Sequence, residues 1–442
     1  MFFLLFLFLN QIHAAISPQA IREQIALTQQ TNLKNDVNVV IRQAPSSKVV
    51  VIQATFKFGI RDLPVGKKTY ALLMPKMLSV GSKKFPKEKL FSTLEKNNID
   101  FDCEGGIETT YCVAATVSDQ LPLALNILRD GMLNPALTNK DFELLRTRLI
   151  AEQKSTLQNS EKSVNDLVNS IFYGEKHQFS LSAKSAIEEL NKSNLGEVKA
   201  IHSTLIKELN LNIVVVSSIS TNKILASLTT AFGSLKKTKS MRQEVLNPVY
   251  ITGHDFAYED RDVPTAYLRS KFNIPIATPR DYMLGRLFFE ILSEEMWQEI
   301  RTKRSLSYSA FASPIYHSIG VGMIALSTPK PQEALEALAQ IIQKMRSQPL
   351  SAEELNEYKT GFTTSYFLSL ESHSSLAAAL SEAVNRFGDV KTFYELPKEL
   401  ESITGENIQK YAITYLKNFR TGVVFGKDKF KSEWVNPIHK YR

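Results

Sequence analysis

The sequence predicts an α+β protein made of two duplicated mixed α/β domains, each a sheet with helices packed on it. Its 442 residues are too many for one ordinary domain, and 43% hydrophobic and 22% charged residues are typical of globular chains. The two halves also repeat the same order of strand patterns, helical patterns and breaks. With only 18 Gly and 17 Pro, the composition excludes collagen-like and extensively disordered chains.

The chain begins with an apolar run at residues 2–9, and the segment from Ile12 to Ala15 that follows offers a small-residue cleavage site. This pattern predicts a secretory signal over residues 1–15. No Lys or Arg precedes the apolar run, so an uncleaved short anchor stays open as an alternative. The run is shorter than the ~20 apolar residues that a membrane-spanning helix needs. We therefore expect an exported protein without a stable membrane span, periplasmic if the source is Gram-negative.

The internal repeat is clearest in the middle of each half. The strand pattern YCVAATVS precedes LPLALNILRDGML in the first half, and VGMIALSTP precedes PQEALEALAQIIQKMR in the second. A proline then marks the same break before a further helical pattern, and the copies lie about 213 residues apart. Thr138 with Asp141, and Ser351 with Glu354, give both of these later helices a capping-box-like start.

Alternating β patterns open and close each half of the chain. They predict an N-terminal domain over residues 16–235 and a C-terminal domain over residues 264–442. Residues 236–263 are rich in charge and show no sustained period, which predicts a linker between the domains.

Two cysteines, Cys103 and Cys112, flank a turn at Gly105 and Gly106 between two predicted strands. In an exported chain they could form a cross-strand disulfide, but two separate apolar thiols fit the pattern equally well. Their spacing is not that of a metal site.

Charge and motifs exclude several functional classes. The net charge of +8 is mild for this length, and no long basic run contains interleaved aromatic residues, so we expect no nucleic-acid partner. The seven histidines include no pair at the i, i+4 spacing that places two imidazoles on one helical face for zinc. A Gly-rich phosphate loop, a nucleophile elbow and a CxxC motif are also missing from the sequence.

The candidate functional residues are Arg301 and Tyr308 in the segment RTKRSLSYS, where a helical pattern changes to a strand pattern. Arginine binds a carboxylate or carbonyl in a planar fork, and tyrosine donates its O–H to a carbonyl or a developing oxyanion. An arginine near a helix end and a tyrosine in a strand also have ordinary structural uses, so the residues alone leave both interpretations open.

With these residues in place, the sequence resembles the pitrilysin-type metallopeptidases, which include insulin-degrading enzyme and the mitochondrial processing peptidase. Arg301 and Tyr308 match the family's C-terminal Arg–Tyr element, which contacts the substrate peptide. The segments EGGIETTYC and PLSAEELNEYK also stand at their expected places. The resemblance extends from about Thr31 to the C-terminus, and it implies the duplicated pitrilysin, or processing-peptidase, fold.

The sequence departs from this family at the zinc motif. Active members carry H-x-x-E-H, in which two histidines bind zinc and the glutamate activates water. Leu72, Pro75 and Lys76 stand at these positions. Leucine offers no lone pair, proline offers no base, and an ammonium repels a dication. Glu152 falls near the family's downstream glutamate ligand, and we interpret it as a surface or structural acid, because one carboxylate cannot hold a catalytic zinc.

The resemblance implies a division of labour in which one chain carries the zinc motif and a similar chain supplies the Arg–Tyr element. We therefore predict a non-catalytic, substrate-binding subunit of an exported heterodimeric zinc peptidase. Arg301 and Tyr308 would bind unfolded peptide in a shared chamber, and the partner chain would hold the zinc and the base. No catalytic residue, metal ligand or cofactor is expected on this chain alone. The alternative is an inactive peptide-binding or scaffold homologue without a hydrolytic partner.

Overall fold

The computed structural model describes residues 18–207, 210–236, 252–275, 278–426 and 429–441. The predicted signal at residues 1–15 and most of the predicted linker lie outside these ranges. The described residues form two compact units, and each unit contains one sheet.

The sheet of the first unit has the strand order β1-β2-β6-β3-β5-β4. The strand bounds are β1 Thr28–Asn32, β2 Asn38–Gln43, β3 Val49–Phe56, β4 Asp100–Gly105, β5 Thr110–Val117 and β6 Leu211–Ser217. Only β2 and β6 are parallel, and the other neighbouring strands in this sheet are antiparallel. Every residue of β6 is buried, which explains its almost continuous apolar sequence.

The sheet of the second unit has the order β7-β11-β8-β10-β9. The strand bounds are β7 Asp255–Asp260, β8 Ala266–Ile274, β9 Ser309–Tyr316, β10 Gly320–Thr328 and β11 Arg420–Phe425. Only β7 and β11 are parallel here. In both sheets the last strand in sequence lies between one parallel and one antiparallel neighbour: β6 lies between β2 and β3, and β11 lies between β7 and β8. This shared topology confirms the predicted duplication. Strand β7 falls inside the segment predicted as a linker, so the end of that segment belongs to the second sheet.

Helices pack on both sheets. In the first half they are α1 Pro18–Ala26, α2 Tyr70–Leu78, α3 Lys87–Asn97, α4 Leu121–Leu133, α5 Asn139–Gln158, α6 Ser160–Phe172, α7 Ala183–Lys192, α8 Leu195–Lys207 and α9 Thr221–Phe232. In the second half they are α10 Pro279–Met296, α11 Pro331–Ser347, α12 Ala352–Leu368, α13 His373–Phe387, α14 Val390–Glu399, α15 Gly405–Tyr415 and α16 Asn436–His439. In the described part of the chain, none is both long and apolar enough to cross a membrane.

The helix starts at α5 and α12 follow the predicted capping pattern. The Asp141 N–H donates to Thr138 Oγ1 at 3.2 Å, and the Glu354 N–H donates to Ser351 Oγ at 3.2 Å. The Glu354 carboxylate in turn accepts the Ser351 N–H at 2.9 Å, which completes a capping box.

Each unit contains a helix from the other half of the sequence. Helix α6 packs on β8 and β11, and α13 packs on β3 and β6. Polar side chains line the covered sheet faces: Thr55 and Ser381 share a hydrogen bond of 2.9 Å, and buried Arg269 forms an ion pair with Glu161 at 3.3 Å. The units are therefore discontinuous in sequence, since residues 153–184 belong to the second and 365–395 to the first.

The two cysteines form a disulfide between neighbouring strands. Cys103 on β4 lies directly opposite Cys112 on β5, both are fully buried, and their sulfur atoms are bonded. Of the two alternatives that the sequence left open, the structure contains the disulfide.

Candidate functional site

The residues at the zinc-motif positions lie on α2, in the first unit. Pro75 is buried inside this helix, and Leu72 and Lys76 are partly exposed. The Lys76 Nζ forms ion pairs with Asp102, at 3.3 Å, and with Glu104. Both acids project from β4, the edge strand of the first sheet. An ammonium with two carboxylate partners therefore stands at the position that the resemblance assigns to a zinc-binding histidine.

The ion pairs keep Lys76 charged. Burial lowers the pKa of Lys76, but hydrogen bonds and charge from Glu104 and Asp102 outweigh this effect, so the pKa lies above its ordinary value. A charged ammonium repels a metal cation and engages both nearby carboxylates in ion pairs. Across the described ranges, no group of three or more His, Cys, Asp or Glu residues is placed to hold a metal. The residues at this position do not fit a catalytic zinc ion.

Strand β4 lies directly against α2 at Gly105. A Cβ added at Gly105 would lie 1.9 Å from the Ala71 carbonyl oxygen and 2.9 Å from Pro75 Cγ. Only glycine permits this approach, which explains one glycine of the EGGIETTYC segment. The approach also places the acids of β4 within reach of Lys76.

Glu152, near the expected place of the family's downstream ligand, lies on α5. Its carboxylate accepts a hydrogen bond from Arg148 Nε at 3.1 Å, one helical turn earlier. The Glu152 side chain is 51% exposed. Its surroundings are those of a surface acid.

Arg301 and Tyr308 lie in the second unit, at a helix end that leads into an edge strand. After α10 the chain continues through a π-helical segment, Trp297–Lys303, and β9 begins at Ser309. The Leu306 N–H donates to the Ile300 carbonyl at 2.9 Å and closes the end of the helix. Such π-helical turns are frequent at functional sites.

The structure brings Arg301 and Tyr308 together, with Trp297 as a third member. Arg301 Nη1 donates to the Tyr308 carbonyl at 3.1 Å. Arg301 Cζ lies 4.6 Å from the centre of the Tyr308 ring and 3.7 Å from that of the Trp297 ring. Tyr308 is 81% exposed and Trp297 41% exposed. We call these three residues the aromatic–arginine cluster.

Sequence reasoning missed Trp297, although a signal was present. Trp297 and Arg301 are four residues apart at a helical pattern's end, and this spacing brings side chains together on one helix face. A tryptophan face is also the best aromatic partner for a cation.

The charges beside the cluster are predominantly positive. Glu299 accepts hydrogen bonds from Arg304, at 2.6 and 2.9 Å, and from Lys303 at 3.1 Å. The bonds from Arg304 and Lys303 lower the pKa of Glu299 below its ordinary value. Glu299 is thus engaged elsewhere, and within the described ranges no carboxylate forms an ion pair with Arg301. The cluster offers hydrogen-bond donors, positive charge and aromatic faces, which together suit binding of a peptide.

Two family models match the chain in consecutive segments. Residues 38–185 match the Insulinase (Peptidase family M16) model, and residues 192–362 match the Peptidase M16 inactive domain model. No curated protein sequence matches the chain.

Solved structures share the fold at low sequence identity. A peptidase M16 inactive domain from Pseudomonas fluorescens aligns with a TM-score of 0.82 and 16% identity, over 90% of this chain and 98% of that one. A protease from Helicobacter pylori aligns with a TM-score of 0.78 and 15% identity, over 90% and 99%. The periplasmic protease PqqL from Escherichia coli aligns with a TM-score of 0.77 and 17% identity, over 90% of this chain and 45% of that longer one.

The family matches agree with the duplicated sheets and with the replaced zinc motif on α2. The chain therefore belongs to peptidase family M16, the pitrilysin-type metallopeptidases, as a member that lacks the zinc motif.

Proposed function

We propose that the chain is the non-catalytic, substrate-binding subunit of an exported heterodimeric M16 zinc peptidase. Its partner would be a pitrilysin-family chain with an intact H-x-x-E-H motif. The contrast between Lys76 and Arg301 carries the proposal. Lys76 is ion-paired at the degenerate metal position, whereas Arg301 is partly exposed, is hydrogen-bonded to the Tyr308 carbonyl, and lies beside the 81% exposed Tyr308.

Each residue of the Arg–Tyr pair has a defined role in this proposal. The Arg301 guanidinium donates to a carbonyl or carboxylate of the bound peptide and fixes its position. The Tyr308 O–H donates to the scissile carbonyl, or to a neighbouring backbone carbonyl, as negative charge develops on the oxygen. The zinc ion, which residues of the partner's H-x-x-E-H motif would hold, would supply the activation of water. Substrates are unfolded peptides, because an extended backbone can present its carbonyls to both donors.

Export is part of the same proposal. The signal-like residues 1–15 support it, although they lie outside the described residues. The Cys103–Cys112 disulfide gives independent support, because structural disulfides persist mainly in oxidising compartments such as the periplasm.

The test is reconstitution from two separately purified chains. The mature chain is titrated into a pitrilysin-family chain with an intact H-x-x-E-H motif from the same source, and cleavage of an unfolded fluorogenic peptide is followed. We expect no cleavage by this chain alone and a cleavage rate that rises until the chains are equimolar.

Two results would contradict the proposal. A mixture no more active than the H-x-x-E-H chain alone would favour the scaffold alternative. Zinc-dependent cleavage by this chain alone would show that the interpretation of Leu72, Pro75 and Lys76 is wrong.

A further inference from the structure

We propose that Trp297 is a positioning residue of the Arg301–Tyr308 site, and that the site recognises a carboxylate of an extended peptide. This inference rests on the proposed function, because it names the chemical group that the same site selects. It concerns the ligand and one further residue, and it does not depend on the identity of the partner chain.

Trp297 restricts the guanidinium of Arg301. Its ring centre lies 3.7 Å from Arg301 Cζ, closer than the 4.6 Å to the ring of Tyr308. A long side chain in solvent samples many rotamers, and ordering it opposes binding. Because two aromatic rings contact the guanidinium and Nη1 donates a hydrogen bond to the Tyr308 carbonyl, the orientation of Arg301 is restricted before a ligand arrives.

The remaining donors of Arg301 lack an acceptor in the described part of the chain. The arginine in the same segment differs, since Arg304 binds Glu299 through both Nε and Nη2. Lys303 is likewise paired with Glu299, at 3.1 Å. A planar anion with two oxygens matches the free edge of a guanidinium best, and in a peptide that anion is a carboxylate.

The exposed rings indicate what lies next to the carboxylate. Tyr308 and Trp297 present apolar surface beside the guanidinium, with exposed fractions of 81% and 41%. An apolar side chain adjacent to the carboxylate can cover this surface and displace water from the charged contact. The carboxylate can come from the peptide C-terminus or from an Asp or Glu side chain.

The ligand is tested by tryptophan fluorescence of the full chain. The sequence has two tryptophans, so Trp434→Phe leaves Trp297 as the only reporter. Trp434 packs edge-on against Phe430 at 5.4 Å, away from the cluster in sequence, and phenylalanine preserves an aromatic ring there. The probes are four leucine-containing peptides: one with a free C-terminal carboxylate, its C-terminal amide, an amide with internal Glu and an amide with internal Gln.

We expect a carboxylate peptide to change Trp297 emission and to bind about tenfold or more tightly than its neutral counterpart, as for a charge-assisted hydrogen bond. Binding of the free acid alone assigns the site to the peptide C-terminus, and binding of the Glu peptide alone assigns it to an acidic side chain. Equal affinity for charged and neutral peptides, or no binding by any of the four, would overturn the inference.

The role of Trp297 is tested by anisotropy of a fluorescein-labelled copy of the tighter peptide, competed with acid and amide forms. Trp297→Ala should reduce the preference for the carboxylate about fivefold, since a cation–π contact is removed, and Trp297→Phe should restore most of it. Arg301→Gln should abolish it. An unchanged preference in folded Trp297→Ala excludes the residue from the site. If that variant does not fold, Trp297→Leu, which retains bulk without the ring, decides by the same criterion.

Failure of this inference and failure of the proposed function give different results. The binding experiments need no partner and no hydrolysis. Carboxylate-selective binding without cleavage in any mixture would leave the inference standing and remove the proposed function. Cleavage in the mixture without carboxylate preference would overturn the inference and leave the proposed function standing.

Discussion

The equivalent helices of the two units, α2 and α10, lead to residues with different surroundings. In the first unit α2 follows strand β3 and packs against edge strand β4, and in the second α10 follows β8 and packs against edge strand β9. The first helix carries Lys76, whose charge is neutralised by acids of the edge strand. The second leads to Arg301, whose contacts are aromatic rings and a carbonyl. The two units share a framework, and individual residues give the equivalent helices different surroundings.

Local backbone geometry produces this difference. At Gly105 the edge strand touches the helix backbone and brings the β4 acids to Lys76. In the second unit the chain passes through a π-helical segment before β9, and Tyr308 remains 81% exposed. Close packing at Gly105 therefore brings ion-pair partners to Lys76, whereas the π-helical segment after α10 is followed by an exposed Tyr308.

The largest effect is expected from Gly105→Ala, which disturbs the close packing of the first unit. The added Cβ would lie 1.9 Å from the Ala71 carbonyl oxygen, so α2 or β4 must move. We expect the free energy of unfolding in urea to fall by about 3 kcal/mol or more. Gly106→Ala is the matched control, because its Cβ meets no atom closer than 3.3 Å. Equal losses in both variants would contradict the packing argument.

The next largest effect is expected at Tyr308, the exposed tyrosine of the second unit. Tyr308→Phe in the assembled pair should lower turnover about tenfold or more, because one donor to the developing oxyanion is lost. Unfolding in urea should not change, since the Tyr308 side chain is 81% exposed. Tyr111→Phe, at a 37% exposed tyrosine on β5, is the control and should retain turnover. Unchanged turnover in the Tyr308 variant would remove this residue from the mechanism.

The smallest effect is expected from Lys76→Met, which removes the ion pairs of Lys76 with Asp102 and Glu104. The Lys76 side chain is 30% exposed and its partners are 52% and 43% exposed, so we expect a loss of about 1 kcal/mol of unfolding free energy at pH 7. Arg148→Met, which removes the 74% exposed partner of Glu152, should cost less. Turnover of the assembled pair should be unchanged by Lys76→Met, because the proposed peptide-binding groups are Arg301 and Tyr308.

The Lys76 contribution also has a defined pH dependence. The pKa of Lys76 is raised in the folded protein above its ordinary value of 10.5. Its stabilising effect is therefore complete below that ordinary value and is lost as the pH rises through the folded value. The stability difference between wild type and Lys76→Met should disappear in strongly alkaline solution. A difference that persists there would indicate packing of the lysine stem instead of an ion pair.

Features encoded by neighbouring residues could be predicted from the sequence. The duplication, the helix starts at Thr138 and Ser351, and the replacement of the zinc motif at Leu72, Pro75 and Lys76 were all visible there. They depend on periodicity, capping and residue type, which need no tertiary information.

Features that depend on tertiary contacts could not be predicted in the same way. The apolar faces of α6 and α13 do not indicate which sheet they cover, so the exchange of helices between units was not foreseen. The acids that neutralise Lys76 lie on β4, which only the folded sheet brings beside α2. The cysteine spacing was compatible with a disulfide and with free thiols, and the opposition of Cys103 and Cys112 across β4 and β5 distinguishes them.

The central claim is that this chain contributes peptide-binding groups and its partner contributes the metal. The most direct measurement is the zinc content of each chain after separate dialysis against zinc, with peptide cleavage recorded on the same samples alone and mixed. We predict one zinc per partner chain, none on this chain, and full cleavage only in the mixture. Stoichiometric zinc on this chain, together with cleavage by it alone, would contradict the account.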